Sequence, residues 1–324
     1  MKKIVCFGEA LIDFLAEPST KPGAAQSFLR NAGGAPANVA VAVAALGGKV
    51  AFVGMLGKDM FGDFLMESLE DAGVDTQYIV RTDEANTALA FVTLDSHGER
   101  SFSFYRPPAA DLLFRQEHFD DGCFNDLFAL HVCSNSLTEP AIAGAALDGI
   151  RRARNAGALV SFDMNLRPAL WHANVNPLPL LWQTIALADV VKFSTEEMAY
   201  LAEHGGDEAS VLEKLWLGKT RLVIVTHGAD AIHWYTPNGR GTVPAFKVQA
   251  VDTTAAGDAF VAGFLVCLAE QQVNPANLLE FTSGAMDDTL RFAAACGAVA
   301  VTRHGAFAAM PSGADVNALL EASI

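Results

Sequence analysis

Val251-Asp252-Thr253-Thr254-Ala255-Ala256-Gly257-Asp258 runs without a break into AFVAGFLVCLAE (259–270): a turn of small residues feeds a helix-length apolar segment. A helix that is apolar all round belongs in a core. Its first N–H groups lack intrahelical partners and its dipole is positive at that end, so the turn suits an anion, above all a phosphoryl group gaining charge during transfer. Ala255, Ala256 and Gly257 leave room for such a group. Asp258, at the same turn, could take the proton of an attacking hydroxyl. A lone Asp before an apolar run is more often a helix cap, so both roles stay open on these residues alone.

Upstream, the short β-branched and aromatic runs KIVCFG (3–8), AFVG (51–54), FALHVC (128–133), ALVSFD (158–163), DVVKF (189–193) and RLVIV (221–225) alternate with helical patterns. That rhythm predicts a mostly parallel sheet, and runs such as Val223-Ile224-Val225 predict helices on both of its faces. Pro36 opens the first helix and Gly47-Gly48 closes it. Two stretches, about 13–32 and 87–112, have strand character without helices. In the second, Thr93-Leu94 and Ser101–Phe104 flank the turn Asp95-Ser96-His97-Gly98. They predict a small β-sheet that projects as a lid over a ligand, a second subunit, or both. No linker or repeat divides the chain, so residues 1–324 are expected to form one domain.

With 51% hydrophobic and 18% charged residues the 324-residue chain can bury a large core. A net charge of −15 disfavours nucleic acid as a partner, because a polyanion is repelled, but does not exclude a nucleotide held by a few donors and a metal ion. The apolar run at the start is interrupted by Glu9 and Asp13, which argues against a signal peptide, and no stretch reaches the length of a membrane span. Five scattered cysteines, Cys6, Cys123, Cys133, Cys267 and Cys296, show no metal-binding spacing and suit a reducing compartment. A cytoplasmic protein is expected.

DTTAAGD (252–258) resembles the second signature of the PfkB/ribokinase carbohydrate kinases, usually DTTGAGD. The resemblance implies a ribokinase-like, Rossmann-like fold with a β lid, Asp258 as catalytic base, and an anion hole at residues 255–257. Ala255 stands where glycine is commoner, a departure that is mild provided its φ is negative. Asn31–Ala40 resembles the first signature, GGxPxNxA. Gly33 and Gly34 would let the backbone approach a sugar, Asn38 would bond a hydroxyl, and Asp13 of the GEALID opening would accept from another. The two signatures lie in order about 220 residues apart, and the resemblance spans nearly the whole chain. Ser194-Thr195-Glu196-Glu197 falls where the family has NxxE. Glu197 would act on Mg2+ indirectly, while Ser194 replaces the Asn. Thr226-His227-Gly228 resembles the TxG segment along the ATP phosphates, with Thr226 and Gly228 as contacts and His227 a bystander. ACGAVAVTRHGAF (295–307) resembles the segment that packs on adenine and closes a monovalent-cation (K+) site at the carbonyls of Asp252 and Thr254.

Two segments narrow the sugar. SFSFYRPPAAD (101–111) resembles the FYRxPxAD stretch of fructokinases, and FDMNLRPALW (162–171) their FDxNLRxxLW. Tyr105 and Arg106 would read sugar hydroxyls from the lid, and Arg167 would bridge sugar and γ-phosphate. The expected reaction is ATP-dependent phosphorylation of fructose to fructose 6-phosphate. A 2-keto-3-deoxygluconate kinase, or another sugar or nucleoside kinase of the family, stays open. A homodimer through the lid is expected, because exposed strand edges bearing Phe102 and Phe104 invite pairing. No GxxxxGK[ST] is present, since Gly54–Asp59 lacks its spacing and hydroxyl, and the first βα turn carries no GxGxxG.

Overall fold

Alternating strand and helix patterns become alternating elements in the computed structural model, which describes residues 1–17, 26–94, 100–106, 108–281 and 283–323. The first half comprises β1 (Lys3–Phe7), β2 (Leu11–Ala16), β3 (Phe28–Gly33), α1 (Ala35–Ala45), β4 (Val50–Gly57), α2 (Met60–Asp71), β5 (Ile79–Thr82), β6 (Leu89–Leu94), β7 (Arg100–Tyr105) and β8 (Leu127–Cys133). There follow α3 (Pro140–Asn155), β9 (Leu159–Asp163), α4 (Leu178–Ile185), β10 (Val190–Ser194), α5 (Thr195–Gly205), α6 (Glu208–Trp216) and β11 (Leu222–His227). The chain then forms β12 (Ala231–Thr236), β13 (Gly239–Pro244), α7 (Ala256–Glu270), α8 (Ser283–Ala300) and α9 (Gly313–Glu321).

Nine strands make the large sheet in the order β13-β12-β11-β10-β9-β8-β1-β4-β5. It is parallel from β5 to β11, as the βα rhythm requires. The edge hairpin β12–β13 is antiparallel and was not among the expected strands, although Asn238-Gly239 between its arms is a hairpin signal. One face of the sheet packs on α1, α2, α7, α8 and α9, the other on α3 to α6. α7 is buried along nearly its whole length against α1 and α8. Each large side chain it buries, Phe264 and Leu265 among them, contributes roughly 2 kcal/mol, and together they fix where its first turn points.

The second sheet, β3-β2-β6-β7, supplies the lid with somewhat different bounds from those expected: its strands span Leu11–Gly33 and Leu89–Tyr105, and the chain leaves it after Tyr105 for a short 3-10 turn at Ala110–Leu113. Leu11, Asp13, Asn31, Ala90 and Phe104 share the face turned to the body, set by the pairings Asp13 with Asn31, Asp13 with Ala90, and Ala90 with Phe104. Alternation puts Phe14, Phe28, Phe91 and Tyr105 on the opposite face, where Phe91 contacts the other three rings and Phe14 also meets Phe61 of α2. The expected turn at Asp95–Gly98 and the side chain of Phe102 lie outside the described residues.

Candidate active site

The first turn of α7 ends at a cleft of about 350 Å³, roofed by the lid and floored by the C-terminal ends of the parallel strands. That is where open α/β sheets bind ligands. Asp13, Gly34, Asn38, Arg167, Ala255 and Asp258 line it, so residues from four separate segments of the expected site meet there. Gly33 adjoins, packed so closely on the Asp13 carboxylate that a Cβ there would make that side chain shift. Gly34 caps α1 at φ +106 with its Cα against the Glu9 and Ala10 backbone; a Cβ there would come within 2.5 Å of the Glu9 carbonyl oxygen.

Asp258 is 8% exposed and accepts a 2.8 Å hydrogen bond at Oδ2 from Asn38 Nδ2. Burial pushes its carboxyl up to about 7; the Asn38 bond opposes this, Asp163 adds to it, and Lys192 and Arg167 oppose it. A carboxylate titrating near neutrality is matched to general-base work. Asn38 therefore spends its amide protons partly on Asp258, while its buried Oδ1 has no hydrogen-bond partner. Asn135, which also lines the cleft, likewise has a buried Oδ1 without a partner, and its Nδ2 donates to Glu9 Oε1 at 3.0 Å. Two lone acceptors in a polar cleft suit a ligand rich in hydroxyl donors.

Ala255 corrects an expectation. Its φ is +59 and ψ +10, left-handed rather than negative, at the N-cap of α7. An L-residue there costs about 1 kcal/mol, which is the physical reason glycine is commoner at this place. Ala256 and Gly257 follow as the first residues of the helix.

Arg106 and Tyr105 also depart from expectation. Arg106 is only 2% exposed and is not among the residues lining the cleft: Nε and Nη2 donate to Asp111 Oδ2 at 2.8 and 2.6 Å, Nη2 also to the Asn135 carbonyl at 2.8 Å. It braces Asn135 and lies in the field of Glu9, rather than reading a ligand directly. Tyr105 is 67% exposed on the outer face of the lid, against Phe91. Phe104, its neighbour in the strand, is the residue that lines the cleft.

Ser194 and Glu197 form a capping box at the start of α5. Glu197 Oε2 accepts from Ser194 N at 2.8 Å and Oε1 from Leu166 N at 2.6 Å, so its carboxylate pins the 163–167 segment that carries Arg167. Thr226 is the penultimate residue of β11, its carbonyl accepting from Thr195 Oγ1 at 3.2 Å; His227 ends the strand, exposed beside Asp230, and Gly228 follows at φ +47. Asp252, 3% exposed, accepts from Thr254 N at 2.7 Å and Gly305 N at 3.0 Å, and so ties the turn before α7 to the 301–305 loop. Among the polar residues near or lining the cleft that no motif marks as site residues are Glu9, Asn135, Asn165, Lys192 and Asp163. Asn165 has a positive φ of 37, a local strain typical of sites, but only backbone geometry exposes it.

All five cysteines are free thiols, and no helix among the described residues is long and apolar enough to cross a membrane. A sequence profile described as "pfkB family carbohydrate kinase" matches residues 1–313. A fructokinase from Xylella fastidiosa with bound ATP superposes with a TM-score of 0.95 at 56% identity, over 99% of this chain and 98% of that one. A Vibrio cholerae O395 fructokinase in a form binding fructose, ADP and calcium ion gives 0.85 at 36% identity, over 99% of each chain. Fructokinase-1 of Oryza sativa subsp. japonica is 40% identical over 321 residues, 99% of this chain and 98% of its own.

Proposed function

The chain belongs to the pfkB family of carbohydrate kinases, and we propose that within it this member transfers the γ-phosphoryl group of ATP to the terminal primary hydroxyl of fructose, giving fructose 6-phosphate. The observation that carries the reading is the placement of Asp258, with its carboxyl near 7, at the α7 N-terminus inside a cleft whose other polar groups suit a neutral polyol. In the reaction the fructose oxygen attacks as its proton passes to Asp258 Oδ, and the N–H groups at residues 255–257 hold the phosphoryl oxygens in a fixed, partly buried site. Asp13, Gly33, Gly34 and Asn38 would hold the sugar, Phe104 would cover it, and Arg167 would reach the phosphoryl group.

Three carboxyl groups, Glu9, Asp13 and Asp258, line the cleft with one cation among the described lining residues, Arg167; the charges of Lys192 and Arg106 nearby are already matched by Asp163 and Asp111. This balance favours fructose over a sugar acid, whose carboxylate would need its own desolvated cation. Thr226 and Gly228 would lie along the phosphates. Mg2+ would arrive with the nucleotide, since the described residues hold no cluster of three or more His, Cys, Asp or Glu able to bind a metal ion, and Glu197, with both oxygens bonded to backbone N–H groups, fits an indirect role. Bound there, Mg2+ would offset phosphate charge. A K+ site at the carbonyls of Asp252 and Thr254 fits a turn held rigid by the Asp252 carboxylate. Residues 1–324 would act as one cytoplasmic kinase domain with its lid, paired in a homodimer through that lid. A coupled ADP-release assay across fructose, 2-keto-3-deoxygluconate, ribose, glucose and adenosine tests the assignment: ADP should form fastest with fructose, and preference for any other acceptor overturns it.

A further inference from the structure

We propose that Lys192 is a further catalytic residue of this phosphoryl transfer: its ammonium, held by Asp163, contacts the phosphoryl group in transit above the first turn of α7. The inference rests on the kinase reading given above and extends it to a residue not singled out by the sequence motifs.

Lys192 and Asp163 are direct partners in the register of β10 and β9, at the C-terminal ends of both strands. Alternation along those strands, from Val190 and Leu159 in the core layer of α7, turns both side chains toward α7. Nζ donates to Asp163 Oδ2 at 2.9 Å, and the two side chains are 10% and 4% exposed. A Cβ built on Gly257 would lie 3.4 Å from Nζ, so the ammonium abuts the small-residue turn meant for the phosphoryl group. Only one of the three ammonium protons has a hydrogen-bond partner among the described residues, and Asp163 Oδ1 is buried without one.

A purely structural role explains this poorly. A buried ion pair adds little to stability relative to apolar residues of the same volume, and this one leaves donors unused in the place where an anion is expected. Burial by itself would lower the Lys192 pKa, but Asp163, Glu197 and Asp258 raise it, so the side chain stays a cation. In the transfer, the bond from the fructose oxygen to the γ-phosphorus forms as the bridging P–O bond to ADP breaks. The hydroxyl proton goes to Asp258 and the electron pair to the ADP oxygen. Lys192 neither gives nor takes a proton; its N–H groups follow the charge on the moving phosphoryl oxygens.

The test compares wild type with Lys192→Met, Lys192→Arg and the double variant Lys192→Met/Asp163→Asn, which removes the pair as a unit and leaves no buried lone charge. Thermal melting establishes folding, steady-state kinetics separate kcat from the KM for fructose, and calorimetry measures affinity for ADP and for the imido analogue of ATP. Both Met variants should lose about 100-fold in kcat with little change in KM, and Lys192→Arg should recover part of it. Loss of Lys192 should also weaken the imido analogue about tenfold more than ADP, a contrast that a packing role would not produce. A folded Met variant with more than about a third of wild-type kcat, or equal losses for the analogue and ADP, overturns the proposal. If wild type itself fails to phosphorylate fructose, the sugar assignment falls instead, and the analogue-to-ADP contrast still decides the role of Lys192.

Discussion

Asp258 can act as a base near neutrality because its surroundings oppose one another. Burial and the neighbouring Asp163 favour the neutral acid, while Asn38, Lys192 and Arg167 favour the carboxylate. Only the carboxylate can take the hydroxyl proton, so kcat/KM for fructose should fall as pH drops through about 7 and level off above it. Asp258→Asn keeps the shape and the capping capacity but not the basicity. It should cut kcat by roughly 100- to 10,000-fold, leave fructose affinity nearly intact, and abolish the acidic limb, all readable from one pH–rate series. A limb at the same pH in the Asn variant would assign the titration to another group. Asp258 was legible in the sequence because a turn of small residues before an apolar run is a local signal. Its hydrogen bond to Asn38, 220 residues away, was not, and neither was the Lys192–Asp163 pair: DVVKF and FDMNLR read as strand and motif, and only the register sets the two charges side by side. The left-handed backbone of Ala255 at the N-cap of α7 is likewise invisible in the sequence, because alanine carries no signal for a positive φ.

The lid shows how strand alternation decides which residue does what. Phe104 and Tyr105 are adjacent in sequence and opposite in direction, so a motif spanning both cannot place both in one cleft. Arg106, where the chain leaves β7, turns inward and is buried on Asp111, a partner five residues ahead that the sequence displayed but that was read with the motif. Its substitution should therefore act mainly through stability. Arg106→Ala leaves Asp111 buried and uncompensated and removes the brace on Asn135, and should lower unfolding free energy by about 3–5 kcal/mol in denaturant titration. Native-like stability with a selective loss of fructose affinity would return Arg106 to the role of a direct sugar ligand. The parallel sheet itself was readable from its apolar runs. The hairpin β12–β13 is harder to read: AIHWYT alternates with only Ile232 and Trp234 buried, and GRGTVP buries Val243 alone, so the Asn-Gly turn is its main signal.

At the scale of the whole molecule, the second face of the lid carries Phe14, Phe28, Phe91 and Tyr105; Phe91 touches the other three rings, Phe14 also packs on Phe61 of α2, and Phe28 is 37% and Tyr105 67% exposed. An aromatic face of this kind on a projecting sheet favours pairing of two lids. Light scattering at micromolar concentration should give twice the 34.3 kDa chain mass, whereas a fully active particle of 34.3 kDa would dispose of the dimer. The charge balance of the cleft bears on the choice of sugar in the same global way, through three carboxyl groups and, among the described lining residues, the one cation Arg167, gathered from distant segments. The central claim is that this cleft phosphorylates a neutral ketose with Asp258 as base. It is tested most directly by side-by-side steady-state kinetics with fructose and 2-keto-3-deoxygluconate. Catalytic efficiency should be at least about tenfold higher for fructose, a gap of roughly 1.4 kcal/mol, with fructose 6-phosphate as the product; an efficiency equal or greater for the keto acid would contradict it.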